Sequence, residues 1–423
     1  MKILFIHRNM PGQFRHLAPR VAALGHETVF ITRRGDRELP GVRRVTYQPL
    51  RAPRKDVHPY LRGMEDAVLH GQQVLRTCIE LGGAGFVPHL VVAHPGWGES
   101  LFVKEVFPDT PLINYGEFYF RPDGPMNRFD PETPHDVNGA AHTRMANAHL
   151  LVAMETADLG WSPTEWQRST FPACLQPRIR TVFDGIDTSV VTPDAGAKLA
   201  LADGRVLTAA HEVITYVSRN LEPVRGFPTF MKALPAILKA RPRAQVVIAG
   251  ADGISYGVGK TTPVPWRERM LAEVDLPPGR VHFTGPLPYE TYLDLLRISS
   301  CHVYLTWPFV LSWSLMEAMS AGCLIVASGT DPVREVIRDG ENGLLTDFFD
   351  EAQVAERVIF ALGHPRTAAL RRAARRTVVN NYALDLCLPK QMALLGEASG
   401  RDWAGTGNGN EMAGSPPPRT LSP

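Results

Sequence analysis

The stretch CHVYLTWPFVLSWSLMEAMSAGCLIVASG, residues 301–329, decides the fold. Its two ends, CHVYLTW (301–307) and CLIVASG (323–329), are short apolar runs with little polar alternation, the pattern of strands buried on both faces. Between them PFVLSWS reads as a loop, and SLMEAMSAG reads as a short helix stopped by Gly322. Strand, helix and strand in that order form a βαβ unit, which requires a parallel sheet.

The same rhythm extends outward in both directions. Upstream in the same half lie TYVSRN (215–220), AQVVIAG (244–250) and RVHFTG (280–285). The first half repeats it with KILFIH (2–7), ETVFIT (27–32), RRVTYQP (43–49), LVVAHP (90–95), PLINYGE (111–117) and RTVFDGID (180–187). Two such series predict an α/β protein of two doubly wound parallel-sheet domains facing a cleft. TPDAGAKLALADGR (192–205), without periodicity, reads as the linker between them. The domains are expected at residues 1–192 and 193–382. Helical segments follow near 351–363, 365–381 and 384–398, and a Gly/Pro/Ser/Asn-rich tail, 399–423, reads as disordered.

Composition narrows the class. The chain has 423 residues, 44% hydrophobic and 21% charged, which suits a large-cored globular protein of two domains. No apolar run approaches the ~20 residues of a membrane span. The start reads as a first strand and its turn rather than a signal peptide. The five Cys show no paired spacing, so neither a disulfide framework nor a zinc site is expected, and a reducing cytoplasm is the expected compartment. A net charge of +2 gives no case for nucleic acid. Arginines cluster at 33–55. The plain reading is a solvated surface; the sharper one is a patch for a phosphorylated acceptor or for peripheral contact with an anionic membrane at its inner face. GVGKTT (257–262) mimics a P-loop, but Ile254 stands where its first Gly belongs and Pro263 and Pro265 follow, so it reads as a loop.

In open α/β sheets ligands bind beyond the carboxyl ends of the strands, so the residues there carry the functional reading. Arg219 ends one strand, and Arg225 sits in the turn closed by Gly226. Two guanidinium forks at such a turn make a trap for phosphate; pairing with Glu222 is the plain alternative. Ser312 and Ser314 are good helix caps, and a helix start there offers N–H groups and a positive dipole end to a diphosphate. Glu317, expected in the first turn, either complements that dipole or accepts hydrogen bonds from two neighbouring hydroxyls such as those of a ribose. In the first half Gly12 lets backbone approach a ligand. AHPGWGES places His94, Gly96, Trp97, Gly98 and Glu99 at the edge, and NYGEFYF places Glu117.

Together these stretches resemble the family-4 retaining glycosyltransferases of the GT-B fold, which has two Rossmann-like domains. The resemblance covers nearly everything before the tail. It implies a nucleoside-diphosphate sugar as donor substrate, retention of anomeric configuration, no metal and no cofactor. The acceptor stays open: a glycan, a lipid-linked group or a small molecule. Arg219 and Arg225 match the family's diphosphate-binding pair, with Arg225 replacing a Lys. RVHFTGPLPYETYLDLL implies that backbone near Leu287 meets the base, and EAM at 317–319 implies that Glu317 binds the ribose. The family's last helix packs back on its first domain, which assigns 383–398 that place.

Three departures stand out, one being that Val310-Leu311-Ser312-Trp313-Ser314 replaces the family's Gly-rich segment. Phe309 occupies the position of the family's first signature Glu. That leaves the sugar to the neighbourhood of Phe309, Leu311, Ser312, Trp313, Ser314 and Leu315, with backbone N–H groups of 311–314 as its holders. Gly116 occupies the position of the family's His, for which His94 or Glu117 would stand in as catalytic groups. Three rival readings keep the fold: a nucleotide-sugar epimerase, a sugar phosphorylase, and a nucleotide-sugar-binding protein without catalysis.

Overall fold

The computed structural model describes residues 1–133, 136–255 and 264–404. The chain divides into two compact units, one formed by residues 1–184 with the chain from Asp385 onward, the other by Gly185–Leu384.

The first unit is built on a seven-stranded sheet. Its strands are β1 (Lys2–Ile6), β2 (Glu27–Thr32), β3 (Val42–Thr46), β4 (Leu90–Ala93), β5 (Leu112–Tyr115), β6 (Leu159–Ser162) and β7 (Ile179–Thr181). They lie in the order β3-β2-β1-β4-β5-β6-β7, and every pairing is parallel. Alternate residues of β1 explain why its run is apolar throughout. Ile3 and Phe5 join the core on one face, and Leu4 and Ile6 join that on the other.

The second unit opens with a small antiparallel hairpin, β8 (Lys198–Ala200) and β9 (Val206–Thr208). Its main sheet has six parallel strands: β10 (Val213–Asn220), β11 (Gln245–Ala251), β12 (Val281–Gly285), β13 (Cys301–Tyr304), β14 (Ile325–Ser328) and β15 (Leu344–Thr346). Their order is β12-β11-β10-β13-β14-β15. The two main sheets give the doubly wound α/β class expected from the sequence. In each, strand order reverses once, beside β1/β4 in the first unit and beside β10/β13 in the second.

Three features differ from the sequence reading. The break falls at Asp184/Gly185 rather than at 192. Residues after it are tied into the second unit: Arg297 donates to the carbonyls of Val190 and Thr192, and Ala197, Leu199 and Leu201 lie in its core. The supposed structureless linker contains the hairpin, whose short strands carry a single buried residue each at Leu199 and Leu207. The expected disordered tail does not begin at 399. The helix Leu384–Ser399 sends Met392, Leu394 and Leu395 into the core around β1, and Trp403 follows them at 1% exposure. Trp403 Nε1 donates to Ser399 Oγ at 2.8 Å, and its carbonyl lies 3.1 Å from His26 Nε2. The P-loop mimic at 257–262 and the rest of the tail lie outside the described residues. No described helix is long and apolar enough to cross a membrane.

Because Trp403 is a large side chain with almost no exposure, Trp403→Ala is expected to destabilise the first unit by about 3–5 kcal/mol. Denaturant titration followed by tryptophan fluorescence and circular dichroism checks this; a loss below about 1 kcal/mol would show that the segment after Ser399 is dispensable.

Candidate active site

In the second unit β10 ends at Asn220, and its penultimate residue, Arg219, is exposed. A turn of 3-10 helix, Pro223–Arg225, leads to Gly226 at φ +68°, which starts the helix Phe227–Ala240. Gly is required there twice over: the left-handed backbone disfavours a side chain, and a Cβ would meet that of Leu305 at 2.4 Å. The turn sets Arg225. Its Nη1 donates to Thr306 Oγ1 at 2.7 Å, its carbonyl accepts from Tyr216 Oη at 2.6 Å, and its guanidinium lies 6.0 Å from the Phe309 ring centre. Thr306 follows β13, so Arg225 spans the point where strand order reverses. The plain alternative partner, Glu222, is fully buried and accepts the backbone N–H of Ser255 at 3.0 Å.

The helix after β13 is Trp313–Ser320, capped by Ser312, whose hydroxyl accepts from the Ser314 N–H. Glu317 therefore lies beyond the first turn, which corrects the sequence reading and removes its dipole alternative. Glu317 is only 5% exposed. Its two oxygens each accept from a tyrosine: Tyr289 Oη donates to Oε1 and Tyr292 Oη to Oε2, both at 2.9 Å. The tyrosines start the helix Tyr289–Arg297, just past half-buried Leu287. Burial, reinforced by Glu317, pushes the Tyr292 phenol well above its ordinary pKa, so it remains a donor. Tyr289 is 45% exposed and Tyr292 is buried more deeply, so one donor is replaceable and the other is fixed.

Phe309, Leu311 and Leu315 are buried, so their side chains belong to the core. The N–H of Ser312 donates to Tyr304 Oη at 3.3 Å and that of Ser314 to Ser312 Oγ at 3.2 Å, so both are already engaged. Ser312, Trp313 and Ser314 are half-buried.

In the first unit His94 and Glu117, on separate strand ends, meet with His94 Nε2 3.5 Å from Glu117 Oε2. The structure adds two residues that the sequence reading did not single out. His7 Nδ1 accepts the N–H of Asn9 at 2.9 Å, which leaves the proton on Nε2. That nitrogen lies 2.8 Å from Gln13 Oε1, and the Gln13 amide donates to Glu117 Oε1 at 3.0 Å. His94 repeats the pattern: Nδ1 accepts the Gly96 N–H at 3.2 Å, so Nε2–H faces Glu117. Gln13 thus donates to the carboxylate, and His94 Nε2 stands beside it without a hydrogen bond. Burial, then the neighbouring His94, holds His7 well below the usual histidine pKa, so it stays neutral. Gly12, at φ +51°, is needed because a Cβ there would meet His7 Nε2 at 2.5 Å; the close neighbour is this imidazole. The signal available in the sequence was a His directly after the first strand and a Gln beside Gly12.

Among the described residues no three His, Cys, Asp or Glu side chains converge as a metal cluster. Each half of the chain matches a known family. Residues 24–191 match the glycosyl transferase family 4 group, and residues 206–377 match glycosyl transferases group 1. A D-inositol 3-phosphate glycosyltransferase from Acidothermus cellulolyticus is 26% identical over 182 residues, 42% of this chain and 39% of that one. A phosphatidyl-myo-inositol mannosyltransferase from Mycobacterium tuberculosis is 28% identical over 155 residues, 37% of each. The matches thus span roughly two fifths of these relatives. Among solved structures, HepE from Anabaena in complex with UDP-glucose superposes with a TM-score of 0.64 at 15% identity, covering 94% of this chain and 100% of that one. Sucrose-phosphate synthase from Thermosynechococcus elongatus gives 0.69 at 16% identity, covering 93% and 98%. With two doubly wound units and a glycosyl transferase model matched in each half, the chain belongs to the glycosyl transferases.

Proposed function

We propose that the chain transfers a glycosyl group from a nucleoside-diphosphate sugar to a hydroxyl of an acceptor, with retention of anomeric configuration and without a metal. The observation that carries this is the pairing, in one unit, of a fixed guanidinium with a buried carboxylate, Arg225 held by Thr306 and Glu317 held by two tyrosines. The bound UDP-glucose of the HepE structure supports the same donor class.

The chemistry is charge management. As the glycosidic bond breaks, the leaving diphosphate gains negative charge. Arg219 and Arg225 stand ready to meet it, and Arg225 needs little reorganisation because Thr306 and Tyr216 already orient it. Glu317 binds the ribose diol. A carboxylate has about four lone-pair sites, so two hydroxyls bind beside the tyrosines or displace exposed Tyr289. Backbone near Leu287 meets the base. In the first unit Glu117, oriented by Gln13 and His94, accepts a hydrogen bond from the attacking acceptor hydroxyl. The acceptor is a glycan, a lipid-linked group or a small molecule. Peripheral membrane contact is the weaker proposal for residues 33–55, because Arg34, Arg37, Arg44 and Arg51 face Asp36, Glu38 and Glu65.

Glu317→Ala is expected to weaken donor binding roughly 10–100-fold, the size of a lost charged hydrogen bond. Calorimetry against a panel of nucleotide sugars checks this, with Glu317→Gln as a shape-preserving second variant. Unchanged affinity in both would remove the ribose assignment. Arg225→Ala is expected to lower turnover by about 10²–10³. Arg225→Lys recovers only part, since a point charge lacks the fork that Thr306 holds. The readout is nucleoside-diphosphate release in the presence of acceptor; full recovery by Lys would show that charge alone matters.

A further inference from the structure

A second polar cluster lies one indole ring away from His94 and Glu117. Arg8 follows His7 at the end of β1. Its Nε donates to Glu99 Oε1 at 3.0 Å, and its Nη2 stands 3.6 Å from Asp66 Oδ2. Its guanidinium lies 5.3 Å from the ring centre of Trp97, which in turn stacks on His94 at 4.8 Å. Glu99 is 0% exposed. Its Oε1 also accepts from Tyr47 Oη at 2.7 Å, and that hydroxyl oxygen lies 3.1 Å from His70 Nδ1. Burial, then Glu99, raises the Tyr47 phenol, which stays protonated. Burial, then Arg8, lowers His70, which stays neutral.

The balance of charge separates this cluster from a phosphate trap. The cations Arg8 and Arg33 are matched by the carboxylates Asp66 and Glu99, and Arg33 is turned to Gln48. A phosphate reaching for Arg8 would meet two carboxylates already beside that guanidinium. Yet the cluster is not satisfied within itself. Glu99 Oε2 and Arg8 Nη2 are buried and have no hydrogen-bond partner among the described residues. A buried carboxylate oxygen without a donor carries a desolvation cost, and in native structures it calls for an explanation. The pair lacks one donor and one acceptor, which is what adjacent hydroxyls supply. Of the three side chains, Asp66 at 40% exposure is the most open to solvent, Arg8 follows at 16%, and Glu99 is closed.

We propose that Arg8, Asp66 and Glu99 form a subsite for the acceptor, and that the group it takes is an uncharged polyhydroxyl ring, a sugar or cyclic polyol, rather than a phosphate monoester. The inference rests on the glycosyl-transfer reading and narrows it. The inositol 3-phosphate in the name of one relative carries the very group that this cluster repels.

The test is binding, read by saturation-transfer NMR on the full chain with UDP present. The probes are myo-inositol and methyl α-glucopyranoside against myo-inositol 1-phosphate and glucose 6-phosphate. The neutral probes are expected to bind, and their phosphates to bind no tighter. Asp66→Lys, at a partly exposed helical position, is expected to weaken the neutral probes by about tenfold or more and to favour the phosphates. Tighter binding of a phosphate to the wild type, unchanged neutral binding in the variant, or no binding of any neutral probe would each overturn the proposal. Mass spectrometry of products from the same mixtures with a nucleotide sugar separates the two claims. Neutral polyols that bind but receive no sugar count against glycosyl transfer and not against the subsite.

Discussion

Both units are organised by one constraint: parallel strands must be joined by crossovers that pack against the sheet, and strand order can reverse only where two crossovers leave in opposite directions. The gap left at that reversal is the place where polar side chains can face inward without breaking a ladder. Arg225 and Thr306 stand at that gap in the second unit, and His7, Arg8 and His94 stand at it in the first. In the first unit the strands that carry them are covered by apolar cores on both faces. The chemistry is concentrated there because the architecture leaves little room for it elsewhere.

Within that frame the direction of each hydrogen bond carries information. Neither His7 nor His94 is left to choose its tautomer, since the backbone N–H groups of Asn9 and Gly96 occupy the Nδ1 atoms. Both imidazoles therefore present donors, and the Gln13 amide passes one of them on to Glu117. The carboxylate accepts from Gln13 and keeps acceptor capacity towards whatever approaches it. Glu317 is treated alike by a different device, two phenols in place of an amide and an imidazole.

The fold was legible because its signal is local. Eleven runs of apolar or β-branched residues sit where β1–β5, β7 and β10–β14 are found, although β3 and β12 are only partly buried. β6, β15 and the hairpin were missed because three or four residues such as LGWS or LLT carry no period. The site was legible by address and not by partner. Arg225, Glu317, His94 and Glu117 stand at strand ends or on the helices that follow, which the pattern reveals. That Gln13 would reach Glu117 across 104 residues, or that Tyr289 and Tyr292 would close on Glu317, depends on which crossovers lie side by side. The place of Glu317 in its helix hinges on which of two serines caps it; Ser312 does, which carries Glu317 past the first turn.

The return of the helix Leu384–Ser399 and of Trp403 to the core around β1 makes the second unit an insertion in the first. During synthesis, which runs from the N-terminus, β1 to β7 emerge long before the segment that covers them. The inserted unit has all its strands and can close while the earlier one still exposes Ile3, Phe5, Phe30 and Val92. The first part made is thus the last completed, and for the interval between residues 184 and 403 the ribosome carries an apolar surface that a chaperone, or a neighbouring nascent chain, is free to find.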